Sequence, residues 1–139
     1  MRYEVEAEVA APVDAVWAWW TDFGEPGATF RMKHGAGSST RRILSREGDT
    51  VVFSDMSLLG DIRRTVRIDH AARALHETGA EGQTFESTWR FEAAGPGRTR
   101  VVRAMRVRAA AVFGPFSRWV TRQDLRYHCR EAERELAPR

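Results

Sequence analysis

Four charged residues occupy strand positions whose neighbours on the same face are apolar: Asp55, Arg64, Glu77 and Arg103. An isolated buried ion is strongly unfavourable, so charges on the inner face of a sheet must be paired or hydrated. Glu77 is expected beside Arg64. Three interpretations stay open. The cluster orients the polar end of a ligand inside an apolar cavity, it is a structural salt-bridge network, or one of these strands turns its opposite face inward.

Turn signals bring these charges together across neighbouring strands. A two-residue turn at Leu59–Gly60, with glycine at positive φ, pairs Asp55 with Arg64 on the inner face. Either Arg41 or Arg42 also faces Asp55 from the preceding strand, and the choice depends on a register of one residue.

The Gly-Pro-Gly turn at 95–97 sets the register of the last hairpin in the same way. It places Trp89 opposite Arg103 on the inner face, with Met105 further along that face. Trp89, Arg103 and Met105 are therefore candidate ligand contacts. A cation–π pair between Arg103 and Trp89 would account for both residues without a ligand.

The long helix near the end of the chain contributes four more candidates. His128 lies at the edge of its buried stripe, whereas Phe116 and Trp119 lie on the opposite side by helical angle. The phenol of Tyr127 is a candidate general acid or base, as are the carboxylates of Asp55 and Glu77, because burial can shift the pKa of such groups. Three arrangements fit Phe116 and Trp119: packing under segment 23–39 with a bend in the helix, part of the mouth of a pocket, or an exposed contact for a partner chain.

Other reaction chemistry finds little support in the sequence. The single cysteine, Cys129, has no evident activating partner and is expected in the core. No phosphate-binding or dinucleotide-binding glycine pattern occurs, so no cofactor is expected. No metal site is expected either, because the histidines show no ligand spacing. They are His34, His70, His76 and His128.

The elements that must position these residues follow from hydrophobic periodicity. Residues 3–9 alternate strictly and predict a half-buried strand, and Pro12 opens a short amphipathic helix. Segment 23–39 has no regular pattern and predicts a long connection with at most one further helical turn. A long helix is predicted over 116–136. Six further strands are predicted at 40–46, 50–58, 61–69, 74–80, 84–93 and 99–109.

Composition limits the class of protein. A chain of 139 residues, 42% apolar and 29% charged, predicts one globular domain over residues 1–139. It contains no long apolar run and no signal peptide, which favours the cytoplasm and excludes a membrane span. Of 22 basic residues, 21 are arginine, but they are spread among 19 acids. That distribution argues against a nucleic-acid partner.

These features together resemble the START and polyketide-cyclase-like (SRPBCC) superfamily over the whole chain. The resemblance rests on the opening strand, residues 11–17 of the first helix, Thr21–Asp22, residues 97–101 and the final helix. It implies an α+β helix-grip fold: a seven-stranded curved antiparallel sheet wrapped around a long C-terminal helix, with a short helical segment and a loop between strands 1 and 2. It also implies a cavity for a hydrophobic ligand.

We therefore expect a domain that binds a hydrophobic or aromatic small molecule, polyketide-like or lipid-like. It would act as a polyketide cyclase/dehydrase-like enzyme or as a carrier. The alternative is a noncatalytic regulatory or protein-interaction module of the same fold, with Phe116 and Trp119 as its contact surface. A homodimer is the candidate assembly.

Overall fold

The computed structural model describes residues 2–34, 37–57, 60–79, 85–107 and 114–138. Two helices and eight strands occur in these ranges. In chain order they are β1 (Arg2–Val9), α1 (Val13–Thr21), β2 (Thr29–His34), β3 (Gly37–Glu47), β4 (Thr50–Ser57), β5 (Gly60–Asp69), β6 (Ala74–Gly79), β7 (Phe85–Ala93), β8 (Thr99–Val107) and α2 (Gly114–Leu136). The predicted strand residues 58, 80, 84 and 108–109 lie outside the described part.

All eight strands form one antiparallel sheet in the order β1-β8-β7-β6-β5-β4-β3-β2. Helix α2 contacts both β1 and β2, the two outer strands, so the sheet curves around the helix. A curved sheet with one face against a helix buries that face and leaves the other to solvent. The predicted α+β architecture is confirmed. No helix of the described ranges is long and apolar enough to cross a membrane.

The strand count is eight rather than the predicted seven. Segment 23–39 was expected to be a connection, but Thr29–His34 forms β2 and pairs with the first half of β3. The alternation of Thr29, Phe30, Arg31, Met32 and Lys33 is a short strand pattern. It is obscured by the glycine-rich and serine-rich residues on either side. Strand β2 supplies hydrogen-bond partners to the edge of β3 that would otherwise be open.

A β-bulge decides which arginine faces Asp55. The register of β3 against β4 shifts by one residue between Ile43 and Ser45, and Arg41 then pairs with Asp55. A bulge inserts one extra residue into one strand. A count from the turn alone therefore cannot distinguish Arg41 from Arg42.

The predicted register of β4 and β5 is wrong by two residues. Ser57 pairs with Gly60, so Arg64 lies opposite Phe53 and Asp55 lies opposite Ile62. A shift of two residues keeps every side chain on its face. Arg64 therefore still lies on the inner face, with Nε 3.8 Å from Oδ2 of Asp55 on the diagonal.

The predicted register of the last hairpin is confirmed. Trp89 pairs with Arg103, and Ser87 pairs with Met105. The core lies between this inner face and the stripe of α2 made by Leu125, Cys129 and Ala132, all of them buried.

Candidate ligand-binding site

A cavity of about 430 Å³ lies between the inner face of the sheet, α1, β2 and α2. This volume falls in the range of sites that bind drug-sized ligands. Its lining residues are Trp19, Trp20, Asp22, Phe23, Phe30, Arg31, Arg41, Phe53, Arg64, Val66, Leu75, Glu77, Trp89, Arg103, Asp124, His128, Glu131 and Glu135.

Aromatic rings form much of the apolar wall. Trp20 at the end of α1 lies with its ring centroid 5.8 Å from that of Trp89 on β7. Phe23, just after α1, stacks on Phe53 of β4 at 6.3 Å. Such ring pairs are stabilised by geometry in addition to burial. A flat aromatic or polycyclic molecule would meet ring faces and edges on two sides of this cavity.

A continuous row of charged groups crosses the cavity wall, and we call it the polar chain. It runs over five strands onto α2 and comprises Arg41, Asp55, Arg64, Glu77, Arg103, Asp124 and His128.

The first half of the polar chain joins β3 to β6. Arg41 donates from Nε and Nη2 to the two carboxylate oxygens of Asp55, at 2.9 and 3.2 Å. Arg64 donates from Nη1 to Oε1 of Glu77 at 2.9 Å. A fork-to-fork pair of guanidinium and carboxylate fixes orientation as well as charge. The Arg41 side chain is thereby fixed where it lines the cavity.

The second half joins β8 to α2. Arg103 lies with Nη2 3.8 Å from Oε1 of Glu77 and Nη1 3.3 Å from Oδ2 of Asp124. Nε of Arg103 donates to the Ser87 hydroxyl at 2.9 Å. Nε2 of His128 lies 3.3 Å from Oδ1 of the same Asp124. One carboxylate therefore holds a guanidinium on one oxygen and an imidazole on the other.

Charge is balanced along the polar chain. Three arginines face three carboxylates, and with His128 neutral the formal charges cancel. Burial lowers the pKa of Arg103, and the negative charges of Glu77 and Asp124 oppose that effect. Its guanidinium also lies 4.3 Å above the Trp89 ring. A cation–π contact replaces part of the hydration that Arg103 loses on burial.

No protein-family profile matches the chain, and no curated protein matches its sequence. Solved structures do match. The Zhui aromatase/cyclase from Streptomyces sp. R1128 superimposes with a TM-score of 0.68 at 20% identity, over 98% of this chain and 95% of that one. A START superfamily protein from Mycobacterium smegmatis gives 0.63 at 15% identity, over 97% and 96%.

The chain has the START/polyketide-cyclase-like fold. A third similar structure is the di-domain ARO/CYC StfQ of the steffimycin biosynthetic pathway, with a TM-score of 0.68 at 16% identity. This chain is covered over 96% of its length and corresponds to 45% of StfQ. These superpositions establish the helix-grip fold. At identities this low, the activity has to be argued from the site.

Within the helix-grip fold, five of the ten candidate residues from the sequence line the cavity together. They are Arg64, Glu77, Trp89, Arg103 and His128. Asp55 lies behind Arg41 and holds it by two hydrogen bonds. The polar chain thus contains all four charged candidates from the strands.

Four candidates lie outside the cavity lining. Met105 is half-buried on β8 and borders a separate groove beside Tyr3. Tyr127 donates its hydroxyl to Glu131 at 3.0 Å. Desolvation and that hydrogen bond raise the pKa of Tyr127, so the phenol stays protonated at neutral pH and does not act as a base there.

Phe116 and Trp119 are the other two, and both are on the surface. Phe116 is 62% exposed and Trp119 is 52% exposed, and their rings stack with centroids 6.3 Å apart. Both rings are therefore on the surface and outside the cavity lining, and the contact with a partner chain stays a prediction.

Several lining residues were absent from the candidates. Asp124 precedes His128 by four positions, and residues at that spacing are neighbours on a helix. That signal was available in the sequence. Trp19 and Trp20 gave no such signal, because the contacts of a helix of nine residues depend on how it docks on the sheet. Arg31 and Phe30 were hidden by the missed strand β2.

Metal and thiol chemistry gain no support from the geometry. Among the described residues, no three His, Cys, Asp or Glu side chains are grouped to hold a metal ion. Cys129 is buried, and desolvation raises the pKa of its thiol to about 12. The thiolate is the nucleophilic form, so Cys129 is a core residue at neutral pH.

Proposed function

We propose that this protein binds a hydrophobic or aromatic small molecule, polyketide-like in shape, in the cavity of its helix-grip fold. The observation that supports this proposal best is the contrast within one cavity of about 430 Å³: aromatic rings form one part of the wall and the polar chain crosses another. Apolar walls with a few convergent polar groups are typical of ligand sites. The Zhui and StfQ structures, an aromatase/cyclase and an ARO/CYC, are consistent with such a ligand.

The polar chain suits oxygen-bearing ligands with no net charge. Its own charges already cancel, so a ligand carboxylate would add an uncompensated negative charge to the site. Ketone and hydroxyl oxygens can accept hydrogen bonds from Arg41, Arg64 or Arg103 without that penalty. The proposed ligand is therefore aromatic and bears neutral oxygens.

We further propose that the protein is an enzyme of the cyclase/dehydrase-like type, with His128 as its base. Asp124 contacts Nε2 of His128, which leaves Nδ1 as the atom to accept a proton from a ligand carbon beside a carbonyl. The electron pair of the broken C–H bond moves to the carbonyl oxygen, where Arg103 stabilises the negative charge. A carrier would need neither a base nor a cation that stabilises an enolate. Loss of His128 should therefore abolish the activity of an enzyme but leave ligand binding by a carrier unchanged.

Ligand binding is tested by titrating the protein with 1,8-dihydroxyanthraquinone and following tryptophan fluorescence. Trp20→Ala removes a ring from the cavity wall, and Trp119→Ala removes a ring from the surface. Because an aromatic contact contributes about 0.5–1.5 kcal/mol, Trp20→Ala should weaken binding about two- to twelvefold, whereas Trp119→Ala should leave it unchanged. Equal effects of the two substitutions would contradict binding in the cavity.

The enzymatic role is tested separately with His128→Gln. The amide keeps a polar group near Asp124 but has no basic nitrogen. If His128 is the base, this variant binds the anthraquinone probe as the parent does and no longer exchanges the α-hydrogens of a bound aromatic ketone such as 1-tetralone for deuterium. Exchange by the variant at the parent's rate would contradict the role of His128 as the base. Exchange by the parent no faster than in buffer alone would contradict the enzymatic role and leave the carrier.

A further inference from the structure

Five arginines recur at every fourth position along α2: Arg118, Arg122, Arg126, Arg130 and Arg134. Residues four apart are neighbours on a helix surface. Sixteen residues of helix rise about 24 Å. The arginines therefore form one row along α2, which turns by about 40° around the helix axis at each step. Like charges at this spacing repel each other and lower the stability of the helix. The fold does not require this arrangement.

The helix does not neutralise this row with its own acids. Arg134 lies 3.6 Å from Glu131, but none of the other four arginines forms an ion pair within the described residues. Asp124 belongs to the polar chain, Glu133 accepts a hydrogen bond from a backbone amide, and Glu135 accepts one from a tryptophan indole. We call the four remaining residues, Arg118, Arg122, Arg126 and Arg130, the arginine row.

The two exposed aromatic residues lie at the start of the same helix. Trp119 lies three positions before Arg122, so the two are neighbours on the helix surface. The ring of Phe116 stacks on that of Trp119 with centroids 6.3 Å apart. Both rings expose more than half of their surface. Exposed bulky rings beside uncompensated positive charge mark a contact surface rather than an ordinary solvated face.

The arginine row is separate from the cavity. Residues two apart on a helix lie about 160° around its axis from each other. Arg122 and Arg126 are each two positions from Asp124, and Arg126 and Arg130 are each two positions from His128. Arg122, Arg126 and Arg130 therefore face away from the side of α2 that lines the cavity, and substitution of these three leaves the ligand contacts in place.

We propose that the arginine row, together with Phe116 and Trp119, docks this protein on the surface of an anionic lipid bilayer. Guanidinium groups pair with lipid phosphates, and basic side chains are attracted to the negative potential of such a surface. Tryptophan and phenylalanine are favourable at the boundary between headgroups and acyl chains. A nucleic-acid duplex would match the charge, but its exposed phosphates offer no apolar layer for the two rings.

The proposal is tested by co-sedimentation of the full chain with vesicles of POPC and POPG at 70:30, and with vesicles of POPC alone. An arginine near an anionic surface contributes about fivefold to partitioning. We expect binding to the anionic vesicles at least tenfold tighter than to POPC. It should weaken as NaCl rises, because salt screens exposed charges. Equal binding to both vesicles, or none to either, would overturn the proposal.

The triple variant Arg122→Gln, Arg126→Gln, Arg130→Gln should weaken binding to the anionic vesicles about a hundredfold. Glutamine is a good helix former, and the change relieves like-charge repulsion, so the melting temperature should not fall. The matched control is Arg42→Gln, Arg63→Gln, Arg67→Gln on exposed positions of the sheet. It removes the same charge and should change binding less than threefold. A comparable loss in both triples would show that net charge alone drives the binding and would overturn a specific surface.

The aromatic pair and the alternative partners complete the test. Phe116→Ser with Trp119→Ser should reduce binding to anionic vesicles at least tenfold even at low salt, because the loss is apolar. Tighter binding to a 30-base-pair DNA duplex than to the anionic vesicles at one salt concentration would assign the row to nucleic acid instead. A dimer that the two serines dissociate, with no vesicle binding, would assign the surface to a second copy. Both results would overturn the proposal.

Discussion

Arg103 brings a positive charge into the cavity wall with 5% of its surface exposed. Glu77 and Asp124 each lie within 4 Å of its guanidinium, and Ser87 accepts its Nε hydrogen. Removing one partner of a buried ion pair leaves the other charge desolvated, and that is more costly than losing an exposed pair. The polar chain should therefore contribute to folding as well as to ligand orientation.

Arg103→Met tests this expectation with a side chain of similar length. It should lower the free energy of unfolding by about 3 kcal/mol, measured by urea denaturation. The matched control is Arg100→Met on the outer face, where Arg100 bridges Glu6 and Glu92 with both partners exposed. That substitution should cost less than about 1 kcal/mol. Equal losses would mean that burial adds nothing to the energetics of Arg103.

Cys129 predicts how stability depends on pH. Its folded-state pKa of about 12 lies above its ordinary value of 9.0 because burial penalises the thiolate. Between these pH values the unfolded chain releases the thiol proton and the folded chain keeps it. The free energy of unfolding should therefore fall as pH rises from 9 to 12.

The matched variant is Cys129→Ala. Without the thiol, the free energy of unfolding should fall less steeply with pH. The difference in slope should be up to about 1.4 kcal/mol per pH unit, which corresponds to one proton, and it does not depend on the stability of the variant at pH 8. Urea denaturation at pH 8, 9 and 10 measures both slopes. Identical slopes for the two proteins would contradict the assignment.

Sequence patterns at the residue scale identified the polar candidates better than the surface ones. Apolar neighbours on one face marked Arg103 and Glu77 as unusual, and the structure confirms that both are buried. The pairing partner of Asp55 could not be deduced, because the bulge between Ile43 and Ser45 lies within the strand and cannot be predicted from the residues of the turn. The position of Phe116 depended on whether a neighbouring segment covers it, and periodicity says nothing about that.

At the scale of elements, β2 closes one side of the cavity. Phe30 and Arg31 of this outer strand line the cavity, and the chain reaches them through Gly24 and the turn that follows it at 25–27. Gly24 has φ of +76°, and a Cβ atom there would lie 2.9 Å from Cζ of Phe30. The glycine therefore permits both the turn and the close approach of the Phe30 ring.

Gly24→Ala should destabilise the protein more than Gly48→Ala does. Gly48 also has positive φ, at +58°, but a Cβ atom there would meet nothing within 4 Å. Gly48→Ala should cost about 1 kcal/mol from backbone strain alone, whereas Gly24→Ala adds displacement of Phe30. Urea denaturation compares the two, and the anthraquinone titration should show weaker binding only for Gly24→Ala. Equal stability and equal binding would contradict a role for the turn in shaping the cavity.

Element prediction succeeded where a pattern was long and failed where it was short. Strict alternation in β1 and the glycine turn before β8 fixed those strands and the register of the last hairpin. Strand β2 alternates over only a few residues between irregular flanks, so its pairing with β3 depends on tertiary context. The predicted register of β4 and β5 was wrong by two residues. An even shift leaves each side chain on the same face of the sheet, so the inner-face residues were still identified.

At the scale of the whole molecule, three groups of arginines differ in their surroundings. Arginines on the outer face of β7 and β8 pair with exposed glutamates. Arg41, Arg64 and Arg103 on the inner face belong to the polar chain, which is charge-balanced. The third group is the arginine row of α2, where the described residues provide no acid partners. The same residue type thus contributes to a solvated surface, a cavity wall and the proposed lipid contact.

The helix-grip architecture keeps the cavity and the arginine row on different sides of one helix. Ligand binding and surface docking should therefore be separable by substitution. The triple glutamine variant of the row should bind 1,8-dihydroxyanthraquinone within twofold of the parent, measured by fluorescence titration. A loss of ligand affinity in that variant would contradict the separation of the two surfaces on α2.

Occupation of the cavity by an aromatic molecule is tested most directly by following the indole N–H resonances of the five tryptophans in a ¹H–¹⁵N correlation spectrum. Trp19, Trp20 and Trp89 line the cavity, whereas Trp119 is on the surface. On addition of 1,8-dihydroxyanthraquinone, the resonances of Trp20 and Trp89 should shift with saturation and that of Trp119 should stay in place. Shifts confined to Trp119, or none at all up to the solubility limit of the probe, would contradict the account.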